Sequence, residues 1–315
     1  MATEEARIAL LRAALGGVAD PRGRIVLGIG DDAAVIAPSA SPLVWTVDAS
    51  VEGVHFRRGL LPLADVGYRA TMAAASDLAA MGAAPLGLLA ALVLPPWVTD
   101  EDLGALASGQ REAADALGTA VAGGNLSRGG ELSITTTALG TAARPLTRAG
   151  ARPGDQLWMA GPVGLAAAGL SLLERGDTRF PACTAAWQRP RARIADGLRA
   201  AVAGARAAID VSDGLARDVG HLARASDATA VLDAGAVVGA DLSAAAAALG
   251  RDPVELALHG GEDYALVAAL PAGAALDGFV RIGEMAAFAG GARVVLRRAD
   301  GSVEAVDERG FDHFA

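Results

Sequence analysis

The chain has 315 residues, which is enough for two ordinary domains, each with its own core. Its formal net charge at pH 7 is −9, and all 27 basic residues are arginine, because the sequence contains no lysine. The composition therefore excludes a lysine-dependent phosphate loop and a kinase-type strand lysine, and it argues against nucleic acid or an anionic membrane as a partner.

The N-terminal sequence has no basic region followed by an apolar segment, so we expect no signal peptide. The longest apolar stretch, residues 82–98, is interrupted by Pro85, Pro95 and Pro96, which indicates a buried strand between breakers rather than a membrane span. Cys183 is the only cysteine, which excludes an internal disulfide and a multi-cysteine metal site. We expect a cytoplasmic location.

The first part of the chain alternates apolar patterns of helical and strand type. Helices are predicted at Glu4–Leu15, Leu63–Met81 and Asp100–Leu117, the last capped by Thr99 or Asp100 and stopped by Gly118. Strands are predicted at Arg24–Leu27, Leu43–Val47, Leu86–Leu94, Thr119–Ala122 and Leu132–Gly140. Leu86–Leu94 is continuously apolar, as in a strand buried on both faces, and a glycine-bracketed turn is predicted at Gly123–Gly130.

A polar, proline-containing stretch at Thr141–Gly154 indicates a domain boundary, with domains at residues 1–143 and 144–315. Beyond it, helices are predicted at Val163–Glu174, Arg191–Ala203, Gly214–Ala225, Leu242–Leu249 and Pro253–Leu258. Strands are predicted at Gln156–Ala160, Ala207–Val211, Ala228–Leu232 and Tyr264–Leu270, with a hairpin around Ala299–Ser302. The predicted fold class is α+β, built from two mixed α/β domains.

Six aspartates stand at strand ends, in glycine-flanked turns or in apolar surroundings. A single aspartate in such a place is more commonly a helix cap or turn residue. An ionised carboxylate inside an alanine-rich helix, as at Asp77, needs a cation or a solvated face. Oxygen ligands without a His or Cys cluster suit Mg²⁺. The six are Asp31, Asp32, Asp48, Asp77, Asp210 and Asp213.

Three further segments combine glycine with polar or charged residues. Asp210–Leu215 places two aspartates between a strand and a helix N-terminus, where phosphate can bind, although Ser212 or Asp213 could equally cap the helix. Gly123–Gly130, with Arg128, could wrap a phosphate or serve as a plain hairpin loop. His259–Tyr264 sets two acids and an aromatic after a double glycine, which suits contact with a cationic ring.

Taken together, these motifs resemble the thiamine-monophosphate kinase family, which belongs to the aminoimidazole ribonucleotide synthetase-like superfamily. The resemblance implies the aminoimidazole ribonucleotide synthetase-like fold, transfer of the γ-phosphoryl group of ATP to thiamine monophosphate, several Mg²⁺ ions, and a homodimer whose N-terminal domain sheets pair. It also implies that the C-terminal domain completes the nucleotide and substrate site. The matching segments are Gly28–Val35, Thr46–Phe56, Ser76–Gly82, Gly123–Gly130, Leu146–Asp155, Asp210–Leu215, Gly260–Tyr264 and Gly310–Phe314.

The resemblance also implies roles for individual residues, with no general base because the acceptor is an anionic phosphate. Metal ligands would be Asp32, Thr46, Val47, Asp48, Asp77, Asn125, Asp210 and Asp213. ATP would contact Gly124, Asn125, Arg148 and Ser212. Thiamine phosphate would contact His55, Glu262, Glu308 and Phe311.

Two positions depart from the family pattern. Asn125 stands where the family usually has Asp, and Glu308 stands where it often has an aromatic residue, which leaves Phe311 to stack on the thiamine rings. These departures motivate an alternative, a nucleotide- or thiamine-phosphate-binding protein with weakened or lost turnover. Another ATP-dependent enzyme of the superfamily is the second alternative, although selenophosphate synthetase and the hydrogenase-maturation dehydratase carry cysteines near their N- and C-termini, respectively, whereas Cys183 lies mid-chain.

Overall fold

A computed structural model describes residues 3–16, 23–29 and 33–310 of the chain. The predictions for Asp31, Asp32 and Phe311 therefore lie outside the described residues. The chain divides into two compact units: unit 1 is Met1–Leu78 with Ala83–Ala143, and unit 2 is Ala79–Gly82 with Arg144–Ala315. Each unit mixes helices with a sheet, which confirms the predicted fold class.

Unit 1 contains a four-stranded sheet, in the order β3-β6-β4-β5, and a separate antiparallel pair, β1-β2. Its helices are α1 (Glu4–Ala14), α2 (Leu63–Ala80) and α3 (Asp100–Leu117). Its strands are β1 (Ile25–Leu27), β2 (Val35–Ile36), β3 (Leu43–Val51), β4 (Ala84–Leu94), β5 (Val121–Arg128) and β6 (Ser133–Thr141).

The third helix forms where its sequence predicts. The Thr99 hydroxyl accepts a hydrogen bond from the Asp102 backbone N–H, and the Asp102 carboxylate accepts one from the Thr99 N–H, which completes a capping box. Gly118 ends the helix with φ +66°, a left-handed conformation that glycine adopts without strain. Local sequence alone is sufficient to fix both ends of this helix.

Two strand predictions in unit 1 were wrong. The segment Gly123–Gly130 was predicted as a turn, but residues up to Arg128 form β5, which pairs in parallel with β4. Its Gly124 is required by close approach, since a Cβ atom there would lie 1.8 Å from the Ala90 carbonyl oxygen. Strand β3 was predicted over Leu43–Val47, with Asp48 at its end, but it continues to Val51, so Asp48 lies within the strand.

The strand register separates the side chains of the four-stranded sheet into two faces. Asp48 pairs with Thr136, Thr136 with Ala90, and Ala90 with Gly124, so these four positions share one face. The neighbouring positions of β3 point to the other face, where Trp45 is 74% exposed and Val47 is 62% exposed. Strand β4 was predicted to be buried on both faces, but its Leu89 and Ala91 side chains are exposed.

Unit 2 is built on a seven-stranded sheet in the order β13-β12-β9-β11-β7-β10-β8. Its helices are α4 (Leu165–Glu174), α5 (Pro181–Gln188), α6 (Ile194–Val202), α7 (Leu215–Ala225), α8 (Ala234–Val237), α9 (Ala240–Leu249) and α10 (Pro253–His259). Its strands are β7 (Gln156–Ala160), β8 (Ala207–Val211), β9 (Ala228–Asp233), β10 (Ala265–Leu270), β11 (Val280–Ala287), β12 (Val294–Arg297) and β13 (Val303–Ala305).

The core of unit 2 is packed mainly from small aliphatic side chains, as the 4% aromatic content requires. All six residues of strand β10, which lies between β7 and the edge strand β8, are buried. Three elements of unit 2 escaped the sequence prediction, α5, α8 and β11, as did β2 in unit 1. None of the described helices is both long and apolar enough to cross a membrane.

Candidate active site

In unit 1 the structure brings together two of the predicted metal ligands. The Thr46 hydroxyl on β3 donates a hydrogen bond of 2.5 Å to Oδ2 of Asp77 on α2. Asp48 lies two residues further along β3, on the same face as Thr46. Every residue from Val66 to Leu78 is buried except Asp77, so this carboxylate is not part of a solvated helix face. These three residues form the unit 1 acidic site.

The predicted ligand Asn125 lies on the opposite face of the sheet. Asn125 pairs with Ala91, and Ala91 with Thr135, and this row continues to Ala49 on the face that also exposes Val47. The Asn125 amide donates to the Ser127 hydroxyl at 3.0 Å. The same face forms a groove of about 950 Å³ that includes Trp45, Leu89 and Asn125 among its lining residues. Asn125 is therefore not grouped with the unit 1 acidic site.

His55 is held by the backbone that precedes it. Its Nδ1 atom accepts a hydrogen bond of 3.1 Å from the N–H of Val51, the last residue of β3. In a neutral ring this bond places the proton on Nε2. His55 then has an N–H donor at Nε2, which is the chemistry that a phosphate oxygen requires.

In unit 2 the predicted segment Asp210–Leu215 connects β8 to α7. Asp210 is buried near the end of β8. Gly214 has φ +123°, and a Cβ atom at this position would meet the backbone of His259. Neither Ser212 nor Asp213 caps the helix with its side chain, since the N-cap residue is Gly214 and no side-chain cap bond is formed. The cap alternative for these two residues is thereby removed.

Asp218, which the sequence analysis missed, organises this segment. Its Oδ2 atom accepts hydrogen bonds of 3.0 Å from the backbone N–H groups of both Ser212 and Asp213. Burial, followed by the charge of Asp210, raises the pKa of Asp218 to about 7. The available signal was an acid in the first turn of the helix, a position that complements the helix dipole.

The predicted segment Gly260–Tyr264 is joined to the segment Asp210–Leu215 by backbone hydrogen bonds. The Glu262 N–H donates to the Ser212 carbonyl at 2.7 Å, and the Tyr264 N–H donates to the Val211 carbonyl at 2.8 Å. Glu262 also accepts a hydrogen bond of 3.0 Å from the indole Nε1 of Trp187 on α5. The structure therefore places Ser212 and Glu262 side by side and adds Trp187, which no local sequence pattern indicated.

Positive charge collects along α7. Burial, followed by the charges of Arg224, Arg148 and Arg217, lowers the pKa of His221. The predicted ATP contact Arg148 thus lies within electrostatic reach of this helix. The predicted substrate contact Glu308 forms an ion pair with Arg224, so its carboxylate is engaged on α7.

The donor chemistry of both units fits a hard divalent cation. The unit 1 acidic site, Asp210 and Asp213 present only carboxylate and hydroxyl oxygens as side-chain ligands. Asp210 and Asp213 also lie within electrostatic reach of the carboxyl group of Asp218. Over residues 3–16, 23–29 and 33–310, no three His, Cys, Asp or Glu side chains cluster closely enough to define a metal site by themselves. The fit therefore rests on ligand chemistry.

Asp263 gives unit 2 a pH-dependent stability. Its carboxylate accepts hydrogen bonds from the N–H groups of Gly164 and Ala166 at the start of α4, at 2.5 and 2.9 Å. Burial raises its pKa from 3.8 to about 7. Between these values the folded state binds more protons than the unfolded state, so the unfolding free energy falls as the pH rises, by about 1 kcal/mol per pH unit.

We expect Asp263→Asn to remove this contribution and flatten the decline in stability between pH 5 and 7. Chemical denaturation at pH 5, 6, 7 and 8 measures the slope. The exposed Asp277→Asn serves as the matched control and should keep the slope of the parent chain. Equal slopes for Asp263→Asn and the parent chain would contradict the assignment.

Comparison with known proteins first defines a class. Residues 30–142 match the family model "AIR synthase related protein, N-terminal domain". The match and the mixed α/β units together define an AIR synthase-like fold.

The relatives then define the family. The chain is 37% identical over 317 residues to thiamine-monophosphate kinase of Escherichia coli K12, covering 92% of this chain and 93% of the relative. It is 36% identical over 272 residues to the enzyme of that name from Mycobacterium tuberculosis H37Rv, covering 82% and 81%. The chain belongs to the thiamine-monophosphate kinase family.

Solved structures agree with this assignment. The thiamine-monophosphate kinase of Stenotrophomonas maltophilia superposes with a TM-score of 0.80 at 34% identity, covering 95% of this chain and 97% of that one. The complex described as AaThiL with AMPPCP and TMP also gives a TM-score of 0.80, at 29% identity, covering 99% and 97%. The similarity extends over both units.

Proposed function

We propose that this protein is a phosphotransferase that uses ATP to phosphorylate thiamine monophosphate, giving ADP and thiamine diphosphate. The main support is the hydrogen bond between Thr46 and Asp77, because it brings together oxygen ligands from two segments that match the family, Thr46–Phe56 and Ser76–Gly82. The family relationship and the AaThiL complex with AMPPCP and TMP support the same substrates.

The chemistry requires positioning and charge stabilisation rather than a general base. A phosphate oxygen of thiamine monophosphate forms a bond to the γ-phosphorus of ATP, and the bond from that phosphorus to the β,γ-bridging oxygen breaks, so that ADP leaves with the electron pair. The attacking oxygen is already anionic, and no proton must be removed from it. Bound Mg²⁺ would neutralise the phosphate charges that a chain of net charge −9 cannot neutralise alone.

Each group of residues has a proposed task. Metal ions would be held by the unit 1 acidic site and by Asp210 and Asp213, with Asp32 and the Val47 carbonyl as further ligands, whereas Asn125, on the opposite face of the sheet, would contact ATP only. Gly124, Asn125, Arg148 and Ser212 contact ATP. The Nε2–H of His55 donates to the phosphate of the acceptor, and Glu262 contacts its cationic part, with Phe311 and Glu308 completing the proposed substrate contacts.

The exposed face of the unit 1 sheet supports a homodimer. Leu43, Trp45 and Val47 project from one face of β3 into solvent, and a cluster of apolar side chains on an antiparallel sheet is typical of a covered surface. We propose that a second copy of the chain covers this face. Because both copies present the same strands, the contact would be symmetric.

We expect Trp45→Glu to convert the dimer to monomer, since two carboxylates would be buried across the symmetric contact. Sedimentation velocity over a range of protein concentrations measures the change. Val202→Glu is the matched control, because Val202 is 91% exposed on α6 and far from the described β3 face in sequence. A monomeric parent chain, or a Trp45→Glu variant that still dimerises like the control, would contradict the proposal.

A direct assay tests the function. Purified protein with ATP, Mg²⁺ and thiamine monophosphate should form ADP and thiamine diphosphate in equal amounts, and chelation of the metal should stop the reaction. Thiamine without phosphate is the negative control, because it lacks the anionic phosphate oxygen that attacks in the proposed step. Binding of both substrates without ADP formation would reject the kinase and favour the binding protein with lost turnover.

A further inference from the structure

A buried tryptophan holds the carboxylate that is proposed to contact the substrate. Trp187 on α5 is 1% exposed, and its indole Nε1 donates to Oε2 of Glu262 at 3.0 Å. The two residues are 75 positions apart in sequence. Because the indole ring is enclosed by the core of unit 2, its N–H direction is fixed, and it fixes one oxygen of the carboxylate in turn.

The backbone around Glu262 has unfavourable φ angles and is held in place by hydrogen bonds of the adjacent Asp263. In the described part of the chain, positive φ angles at residues other than glycine occur only at Asp227, Glu262 and Tyr264. Glu262 has φ +59° and Tyr264 has φ +50°. The buried carboxylate of Asp263, between them in sequence, accepts hydrogen bonds from backbone N–H groups at the start of α4. Such conformations persist only where the surroundings enforce them, and they concentrate at functional sites.

A purely structural role does not explain this arrangement well. Unit 2 contains a second tryptophan, Trp158 on β7, whose buried Nε1 finds no hydrogen-bond partner among the described residues. Burial of an indole in this core therefore does not by itself require a carboxylate partner. At Trp187 the partner is an acid in a strained turn whose backbone N–H is bonded to Ser212, a proposed ATP contact.

We propose that Trp187 is a positioning residue, which orients the Glu262 carboxylate toward the cationic thiazolium and the amino-bearing pyrimidine of the acceptor. This inference rests on the proposed function. A carboxylate held in one orientation loses little conformational freedom when the substrate binds, so the contact contributes more to affinity than a mobile side chain would. In this proposal Trp187 acts through the carboxylate, to which its indole N–H donates.

The test is Trp187→Phe, which keeps an aromatic ring and removes only the N–H donor. We expect KM for thiamine monophosphate to rise about tenfold, while KM for ATP and kcat change by less than about twofold. Trp158→Phe is the matched control, because it makes the same replacement where no hydrogen bond is lost, and it should leave all three constants unchanged.

A second variant keeps the test decisive if Trp187→Phe does not fold. Glu262→Asp retains the charge but shortens the side chain by one methylene, which withdraws the carboxylate from the indole. We expect it to raise KM for thiamine monophosphate to a similar extent, and the double variant with Trp187→Phe should add little further.

The outcomes separate the inference from the proposed function. An active parent chain with normal KM for thiamine monophosphate in Trp187→Phe, or in Glu262→Asp, would overturn the positioning role. A parent chain that forms no ADP with thiamine monophosphate would overturn the proposed function instead. Equal increases in both KM values would indicate general damage to the site and would also reject the positioning role.

Discussion

Replacing Asp77 by Asn is expected to lower kcat for ADP formation by about 10³-fold while leaving the protein folded. Asp77 provides the carboxylate that meets the Thr46 hydroxyl at 2.5 Å, and it is the one position of residues 66–78 that is not fully buried. A carboxylate that ligates a catalytic divalent ion contributes several kcal/mol, and each factor of ten in rate corresponds to about 1.4 kcal/mol. The amide retains the shape and removes the charge.

Steady-state ADP release at saturating ATP and thiamine monophosphate measures this effect, and denaturant unfolding verifies the fold. Asp115→Asn is the matched control, because Asp115 is an exposed residue of α3 in the same unit. We expect it to retain full activity. A rate for Asp77→Asn within tenfold of the parent chain would remove Asp77 from the proposed metal ligands.

Replacing Gly124 by Ala is expected to destabilise unit 1 by about 3 kcal/mol, because the added methyl group cannot be accommodated without separating β5 from β4. Its Cβ would lie 1.8 Å from the Ala90 carbonyl oxygen and 2.7 Å from the carbonyl carbon. Both atoms belong to the neighbouring backbone, so no side-chain rotation relieves the overlap. Unfolding in denaturant without nucleotide measures the loss.

The matched control for this prediction lies six residues further along the chain. A Cβ atom at Gly130 meets nothing within 4 Å, and its φ is not in the positive range that disfavours alanine. Gly130→Ala should therefore change the unfolding free energy by no more than about 1 kcal/mol. Similar stability for Gly124→Ala and Gly130→Ala would show that β5 can shift to admit the methyl group.

The two strand errors have a common physical origin. Glycine and small polar residues are common in turns, and Gly123–Gly130 is rich in both. Gly124, however, is required because the neighbouring strand β4 passes too close to leave room for a side chain. Likewise, aspartate is rare inside strands, so Asp48 predicts the end of β3, which in fact continues to Val51. In each case a contact with a distant strand overrode the local preference.

The sequence by itself determined the elements whose signals are local. The capped helix α3, the alanine-rich helix α2 and the apolar strand β10 follow from periodicity, capping residues and breakers within a few positions. Ordered family motifs also indicated the function, because their combination spans nearly the whole chain.

Only the tertiary structure decided which of these residues meet. Thr46 forms a hydrogen bond with Asp77, 31 positions away in sequence, and Trp187 forms one with Glu262, 75 positions away. The strand register assigns Asp48 and Asn125 to opposite faces of one sheet, although both were predicted ligands. Pairings of this kind depend on sheet register and helix packing over the whole unit, and no short stretch of sequence encodes them.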